Sequence, residues 1–116
     1  MSVVTFEVTK YKVLTSSGRK GNVRGVEVEY QGLINCYGDK GKYTIYFMKD
    51  GSPLPSPVVS STPTRGRGRV YVEYRYMPIY LDILRNEKPI YCFVDSEHPD
   101  RCRIQTGLEE IGEDDD

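Results

Sequence analysis

Apolar residues recur at every second position along most of this chain, and no other feature restricts its fold as strongly. Val4, Phe6 and Val8 alternate with polar residues near the start of the sequence, and Val26 and Val28 do the same further on. A period of two places successive side chains on opposite faces, which is typical of strands with one buried face. The sequence therefore predicts an all-β, mainly antiparallel protein.

The alternating segments are short and are separated by glycine-rich polar turns, so we expect about six to seven strands. The predicted strands cover residues 3–14, 23–30, 33–37, 42–48, 69–77, 90–94 and 102–106. Residues 16–22 contain two glycines and are predicted as a turn. The apolar phase of the first strand slips near Lys10, which a β-bulge would absorb. A small β-barrel or β-sandwich is the expected way to bury such strands.

Residues 79–87 are ambiguous, because their apolar positions fit a short helix as well as a strand. Pro78 stands where the first turn of a helix tolerates a missing N–H, and Tyr80 and Leu84 can form part of an apolar stripe. No β-branched residue follows Ile83 in this segment. We therefore predict one short helix near residues 79–87.

Residues 50–68 lack the alternation and are rich in proline, glycine and serine. Proline cannot donate a hydrogen bond to a sheet, and glycine raises the entropic cost of ordering. This composition predicts a long Pro/Gly/Arg loop, which is either mobile or orders against a partner. The chain length of 116 residues fits one domain, so we interpret residues 1–108 as a single β-rich domain that carries this loop.

The charge of the chain is divided unevenly between its two ends. It has 16 basic and 17 acidic residues, but six of the acids lie within residues 109–116. The first 108 residues therefore hold 16 basic and 17 − 6 = 11 acidic groups, a net charge of +5. We interpret residues 109–116 as an acidic C-terminal tail, which either masks a basic binding surface or is a solvated terminus.

Residues 65–76 combine arginine with tyrosine, the residue types that single-strand binders use for phosphate and for base stacking. Glu73 lies among them and would repel phosphate, so the competing interpretation is a flexible basic loop that leads into an ordinary strand. The candidate nucleic-acid-binding residues are Arg65, Arg67, Arg69, Tyr71 and Arg75, with a second patch at Arg19, Lys20 and Arg24.

Catalytic and metal-binding patterns are weak in this sequence. Cys92, His98 and Cys102 are zinc-ligand types, but they lack the paired cysteines of a zinc knuckle. His98 is the single histidine, and no nucleophile, base and oxyanion-stabilising group can be placed together. We predict no catalytic residue, no metal and no cofactor, so an enzyme is the least expected class.

The sequence also carries expectations about location. No apolar run approaches the ~20 residues of a membrane-spanning helix, and the first ten residues lack the pattern of a signal peptide. We therefore expect an intracellular, cytoplasmic protein with free thiols and no membrane partner.

Two functions fit these observations. The first is a non-catalytic assembly protein that forms a homo-oligomer or joins a larger assembly, through open sheet edges or through the arm at residues 50–68. The ten tyrosines of the chain suit such a role, because tyrosine is enriched at interfaces. The alternative is a small β-barrel that binds single-stranded nucleic acid through its arginines and tyrosines.

Overall fold

A computed structural model of the protein describes residues 3–107, which form eight strands and one α-helix. The strands are β1 (Val3–Glu7), β2 (Lys10–Val23), β3 (Val26–Gly38), β4 (Gly41–Met48), β5 (Val58–Ser61), β6 (Gly66–Glu73), β7 (Ile90–Asp95) and β8 (Arg103–Thr106), and the helix is α1 (Met77–Asn86). The predicted all-β character and the short helix are confirmed. The acidic residues 109–116 lie outside the described residues.

The strands form a three-stranded sheet in the order β1-β7-β8 and a five-stranded sheet in the order β2-β3-β4-β6-β5. Neighbouring strands are antiparallel except β4 and β6, which run parallel. A parallel pair needs a crossover, and the segment between β4 and β6 supplies it together with β5. Within residues 3–107 the sheets do not close, so the predicted barrel is wrong, and there are eight strands rather than six or seven.

The two sheets and α1 share one hydrophobic core. Ile45 and Phe47 of β4 are fully buried, as are Cys92 and Val94 of β7, and Leu84 of α1 joins the same cluster. The three-stranded sheet and α1 therefore cover one face of the five-stranded sheet. Its opposite face lies away from this core.

The first predicted strand is divided between the two sheets. The N–H of Val8 donates to the carbonyl of Ile90 in β7 at 2.8 Å, whereas the N–H of Thr9 donates to the carbonyl of Tyr37 in β3 at 2.8 Å. The apolar phase slips near Lys10 because the chain changes sheet there, and not because of a bulge.

The hairpin of β2 and β3 is longer than predicted. Residues 16–22 belong to β2 instead of forming a turn, and the chain reverses at Arg24 and Gly25, whose φ angles are 52° and 84°. A register shift between Thr15 and Arg19 interrupts the ladder. Gly18, one of the two glycines that suggest a turn in the sequence, lies within this bulge and has a φ angle of 130°, whereas Gly21 pairs with Val28. The next two predicted strands are the single strand β3.

The predicted loop at residues 50–68 contains β5 and the start of β6. The strand predicted from Arg69 begins instead at Gly66 and ends at Glu73, where a 3-10 turn leads into α1. Within residues 3–107, no helix combines the length and apolar character that spanning a membrane would require.

Candidate nucleic-acid interface

Arginine and glycine alternate along β6 because one face of this strand packs on the core and the other is exposed to solvent. Gly66 and Gly68 are buried, and a Cβ atom at Gly68 would lie 2.9 Å from the ring of Tyr43. Arg67 and Arg69 are exposed on the opposite face. The repeat is therefore a strand with a tightly packed inner side, and not a flexible loop.

The solvent side of the five-stranded sheet carries cross-strand rows of side chains, because residues paired across a sheet share one face. The first row is Lys10, Tyr37, Lys42, Arg67 and Ser60; the second is Lys12, Asn35, Thr44, Arg69 and Val58; the third is Leu14, Leu33, Tyr46 and Tyr71. We call this side the outer face and its first two rows the basic rows. The basic rows hold five cations and no carboxylate.

A cavity of about 320 Å³ opens on the basic rows, and Lys42, Arg67 and Arg69 contribute to its lining. Asn35 and Thr44 line it as well, and the hydroxyl of Thr44 donates a hydrogen bond to Oδ1 of Asn35 at 2.7 Å. The Thr44 side chain is satisfied in this way although it is buried. The cavity therefore combines fixed polar groups with three positive charges.

Tyrosines lie next to the basic rows. The rings of Tyr46 and Tyr71 stack with centroids 5.3 Å apart, and Tyr30 meets Tyr46 edge-on at 5.6 Å. The ammonium group of Lys42 lies 5.6 Å from the ring centroid of Tyr37. Cations beside aromatic rings are the combination that proteins use for single-stranded nucleic acid.

The tip of the β2–β3 hairpin lies close to the stacked tyrosines. A cavity of about 190 Å³ is lined by Val23 from the tip and by Arg69 and Tyr71 from β6. Burial and the neighbouring Tyr46 raise the pKa of the Tyr71 hydroxyl, while the charges of Arg69 and Arg24 oppose this rise. Arg24 at the hairpin turn is therefore near enough to act on Tyr71.

Six of the predicted residues lie on or beside the outer face. Arg67, Arg69 and Tyr71 belong to its rows, and Arg24 is at the hairpin tip beside them. Arg19 stands opposite Tyr30 of β3, on the same face. Arg65 precedes β6, two residues before Arg67, and lines an opening of about 660 Å³ together with Arg67.

The other two predicted residues lie apart from this surface. Lys20 pairs with Glu29 across the hairpin, on the face opposite to Arg19. Arg75 donates a hydrogen bond through Nη2 to the Glu73 carboxylate at 2.8 Å and forms an ion pair with it. Neither residue adds charge to the basic rows.

Sequence reasoning missed several members of the basic rows: Lys10, Lys12, Lys42, Asn35 and Thr44. Each occupies a polar position of an alternating strand, so its place on the side away from the core was predictable. Its place beside the arginines of β6 depends on the order of the strands, which local sequence does not reveal.

Cys102 and His98 both contact Asp95 at the end of β7. His98 Nδ1 lies 3.2 Å from the Asp95 carboxylate, and the Cys102 sulfur accepts a hydrogen bond from the Asp95 N–H at 3.3 Å. Burial raises the pKa of the Cys102 thiol and so keeps it protonated near neutral pH. Among residues 3–107, no group of three or more histidine, cysteine, aspartate or glutamate side chains could hold a metal ion.

The fold and this surface define a two-sheet β protein whose open mixed sheet presents a basic, aromatic face. Comparison of the chain with protein-family models, with curated proteins and with solved structures finds no match.

Proposed function

We propose that the protein binds single-stranded nucleic acid on its outer face. The observation that carries this proposal is the pair of basic rows, which place five cations and no carboxylate beside a stack of tyrosines. Lysine and arginine contact phosphates, and aromatic rings stack on bases with about 1–3 kcal/mol per base. A single strand exposes both groups at once, whereas a duplex keeps its base faces inside.

The spacing of the rows suits this arrangement. Successive rows are two residues apart along each strand, which corresponds to about 7 Å. A phosphate at Arg69 and a base at Tyr71 can therefore belong to one nucleotide. The cavity on the basic rows leaves room for groups that project from the strand.

The carboxylates of Glu73, Glu27 and Glu29 do not cancel the charge of the basic rows. Glu73 lies beyond the third row, where it binds Arg75 and accepts a hydrogen bond from the N–H of Gly51 at 3.2 Å. Glu27 and Glu29 are on the opposite face of the hairpin, because they alternate with the outward residues of β3. Repulsion of phosphate by these groups is therefore small beside the attraction of the rows.

Fluorescence anisotropy with a labelled oligothymidylate, measured at several salt concentrations, tests the proposal. Arg67→Ala and Arg69→Ala are each expected to weaken binding, and each should reduce the slope of log affinity against log salt by about 0.7. Lys20→Ala removes the same charge from the opposite face and serves as the matched control, with unchanged affinity expected. Failure of the protein to bind at micromolar concentration and low salt would contradict the proposal, as would equal losses in all three variants.

A second candidate function is self-association through a sheet edge, and we propose β5 as that edge. β5 is a four-residue edge strand without a charged side chain, and it pairs with β6 on one side. The opposite edge of the same sheet, β2, carries Lys10, Lys12 and a bulge, which oppose the pairing of strands. The arm predicted at residues 50–68 therefore contributes the edge best suited to a second copy.

Size-exclusion chromatography with light scattering tests self-association. Val58→Lys adds a charge to β5 and is expected to shift an oligomer towards monomer, because charged side chains block edge pairing. Val26→Lys adds the same charge to β3 at the hairpin tip and is the control. A wild-type protein that stays monomeric over a wide concentration range would exclude this role.

A further inference from the structure

The cavity on the basic rows is lined by three cations, and we propose that it holds the terminal phosphate of a bound strand. This inference rests on the proposed function of the outer face and names the part of the nucleic acid that the cavity recognises. An internal phosphodiester carries one negative charge. A phosphomonoester at a strand end carries about two near neutral pH and offers three acceptor oxygens. Lys42, Arg67 and Arg69 suit the more highly charged group.

Strand pairing brings these three charges together although they are separated in sequence. Lys42 lies directly opposite Arg67 in the parallel ladder of β4 and β6, and Arg69 follows Arg67 on the same face. Like charges placed in this way repel each other. The lining of the cavity contains no carboxylate, and no ion pair within residues 3–107 includes one of the three cations. A bound anion relieves this repulsion.

The neutral polar groups in the lining are arranged to donate hydrogen bonds. The hydroxyl of Thr44 donates to Oδ1 of Asn35 at 2.7 Å. This bond engages the amide oxygen and leaves the two N–H groups of Nδ2 as donors. The hydroxyl of Ser60 on β5 belongs to the same lining and can donate as well. The cavity therefore offers cations and donors together, which is the combination that phosphate oxygens accept.

The exposed arginines near β8 lack this convergence. Arg103 donates through Nε to Oε1 of Gln105 at 2.9 Å and through Nη1 to the carbonyl of Arg101 at 2.8 Å. Its guanidinium also lies 4.2 Å from the ring centroid of Phe93. Arg101 directly follows Asp100 in a 3-10 turn, so a carboxylate stands next to it in the chain. Arg103 thus has partners within the protein, whereas the three cations of the cavity share an open space of about 320 Å³.

The tyrosines of the third row lie where the base of a terminal nucleotide would follow its phosphate. Tyr46 lines the same cavity as Arg69, and it stacks on Tyr71 with ring centroids 5.3 Å apart. Arg69 and Tyr71 are two residues apart on one strand face, which corresponds to about 7 Å. A terminal nucleotide can therefore place its phosphate in the cavity and its base on this stack.

Fluorescence anisotropy with three oligothymidylates of equal length, each labelled at an internal base, tests this inference. One strand has a 5′-phosphate, one a 3′-phosphate and one a hydroxyl at both ends. One of the phosphorylated strands is expected to bind roughly ten-fold more tightly than the hydroxyl strand, in line with charge-assisted hydrogen bonds. This advantage should shrink as the pH falls from about 7.5 to about 5.5, because the phosphomonoester takes up a proton near pH ~6. The lining holds no histidine, cysteine or carboxylate, so the loss belongs to the ligand.

Two lysine variants locate the effect. Lys42→Ala should reduce the ratio of the two affinities from roughly ten to about two, because it removes one cation of the cavity. Lys12→Ala is the matched control, since Lys12 pairs with Asn35 on the same face but does not line the cavity. It should weaken the phosphorylated and hydroxyl strands equally and so preserve their ratio. An equal fall of the ratio in both variants overturns the assignment to this cavity.

Equal affinities of the wild-type protein for all three strands overturn this inference and leave the proposed function standing. NMR titration with inorganic phosphate separates the opposite case. Millimolar phosphate should shift the amide signals of Thr44, Arg67 and Arg69 more in the wild type than in Lys42→Ala. Shifts of equal size in the two proteins overturn the phosphate site. The expected shifts in a protein that binds no oligothymidylate would support the phosphate site and refute the proposed function instead.

Discussion

Gly68 has no side chain, so one face of β6 can pack closely against the core while the other face carries exposed arginines. The ring of Tyr43 is 2% exposed and fills the space beside Gly68. Arg67 and Arg69 on either side of this glycine are exposed. The outward side chains of β6 therefore take no part in the packing of the core.

Gly68→Ala is expected to lower the free energy of unfolding by about 1–3 kcal/mol, because the new methyl group would overpack against a ring that cannot move into solvent. Urea denaturation measures this change. Arg67→Ala on the same strand is the control and should stay within about 0.5 kcal/mol of the wild type. Two variants of equal stability would show that the inner side of β6 is looser than described.

The site residues were predictable only in part, because some of them are neighbours in sequence and others are brought together only by strand pairing. The arginines of β6 stand out because they are adjacent in sequence to tyrosine. Lys42 lies beside Arg67 only because β4 and β6 pair in parallel. A group of functional residues that are adjacent in sequence can be predicted from the sequence. A group that is assembled from several strands cannot, because it depends on the order in which the strands pair.

Among the elements, alternation identified most strands but did not reveal which strands pair. The slip near Lys10 looks the same in sequence whether a bulge or a change of sheet causes it. β5 was missed because Val58 and Val59 stand among prolines and serines, which favour turns. The helix was predictable, since Pro78 and the absence of β-branching after Ile83 act locally.

The helix α1 is held by the core on one side and is open to solvent on the other. Leu84→Ala should therefore cost about 2–5 kcal/mol of unfolding free energy, because Leu84 is 7% exposed and joins the shared core. Ile79 of the same helix is 57% exposed, so Ile79→Ala is the control and should cost much less. Thermal and urea denaturation measure both changes, and a reversed order of the two variants would contradict this packing.

Across the whole molecule, burial is concentrated at the centre and decreases towards the hairpin tip. β4 lies in the middle of the five-stranded sheet and is mostly buried, whereas the second half of β2 lies at an edge and is mostly exposed. Local opening requires least free energy where few apolar contacts are lost. The structure therefore predicts a gradient of backbone protection along the sheet.

Hydrogen exchange measured by mass spectrometry or NMR should show this gradient. The amides of β4 are expected to exchange slowest and those of β2 after the bulge at Thr15 fastest among the strands of this sheet. Uniform protection of both strands would contradict the distribution of burial. Slower exchange of the tip when oligonucleotide is added would place the tip at the bound ligand.

The two-sided pattern of β6 also separates the chemistry of the outer face from the packing of the core. Arg67 and Arg69 are exposed, so exchanging either for another residue changes the charge of the outer face and leaves the interior undisturbed. Substitutions on the outward side of β6 can therefore alter the charge of the outer face without disturbing the packing at Gly68.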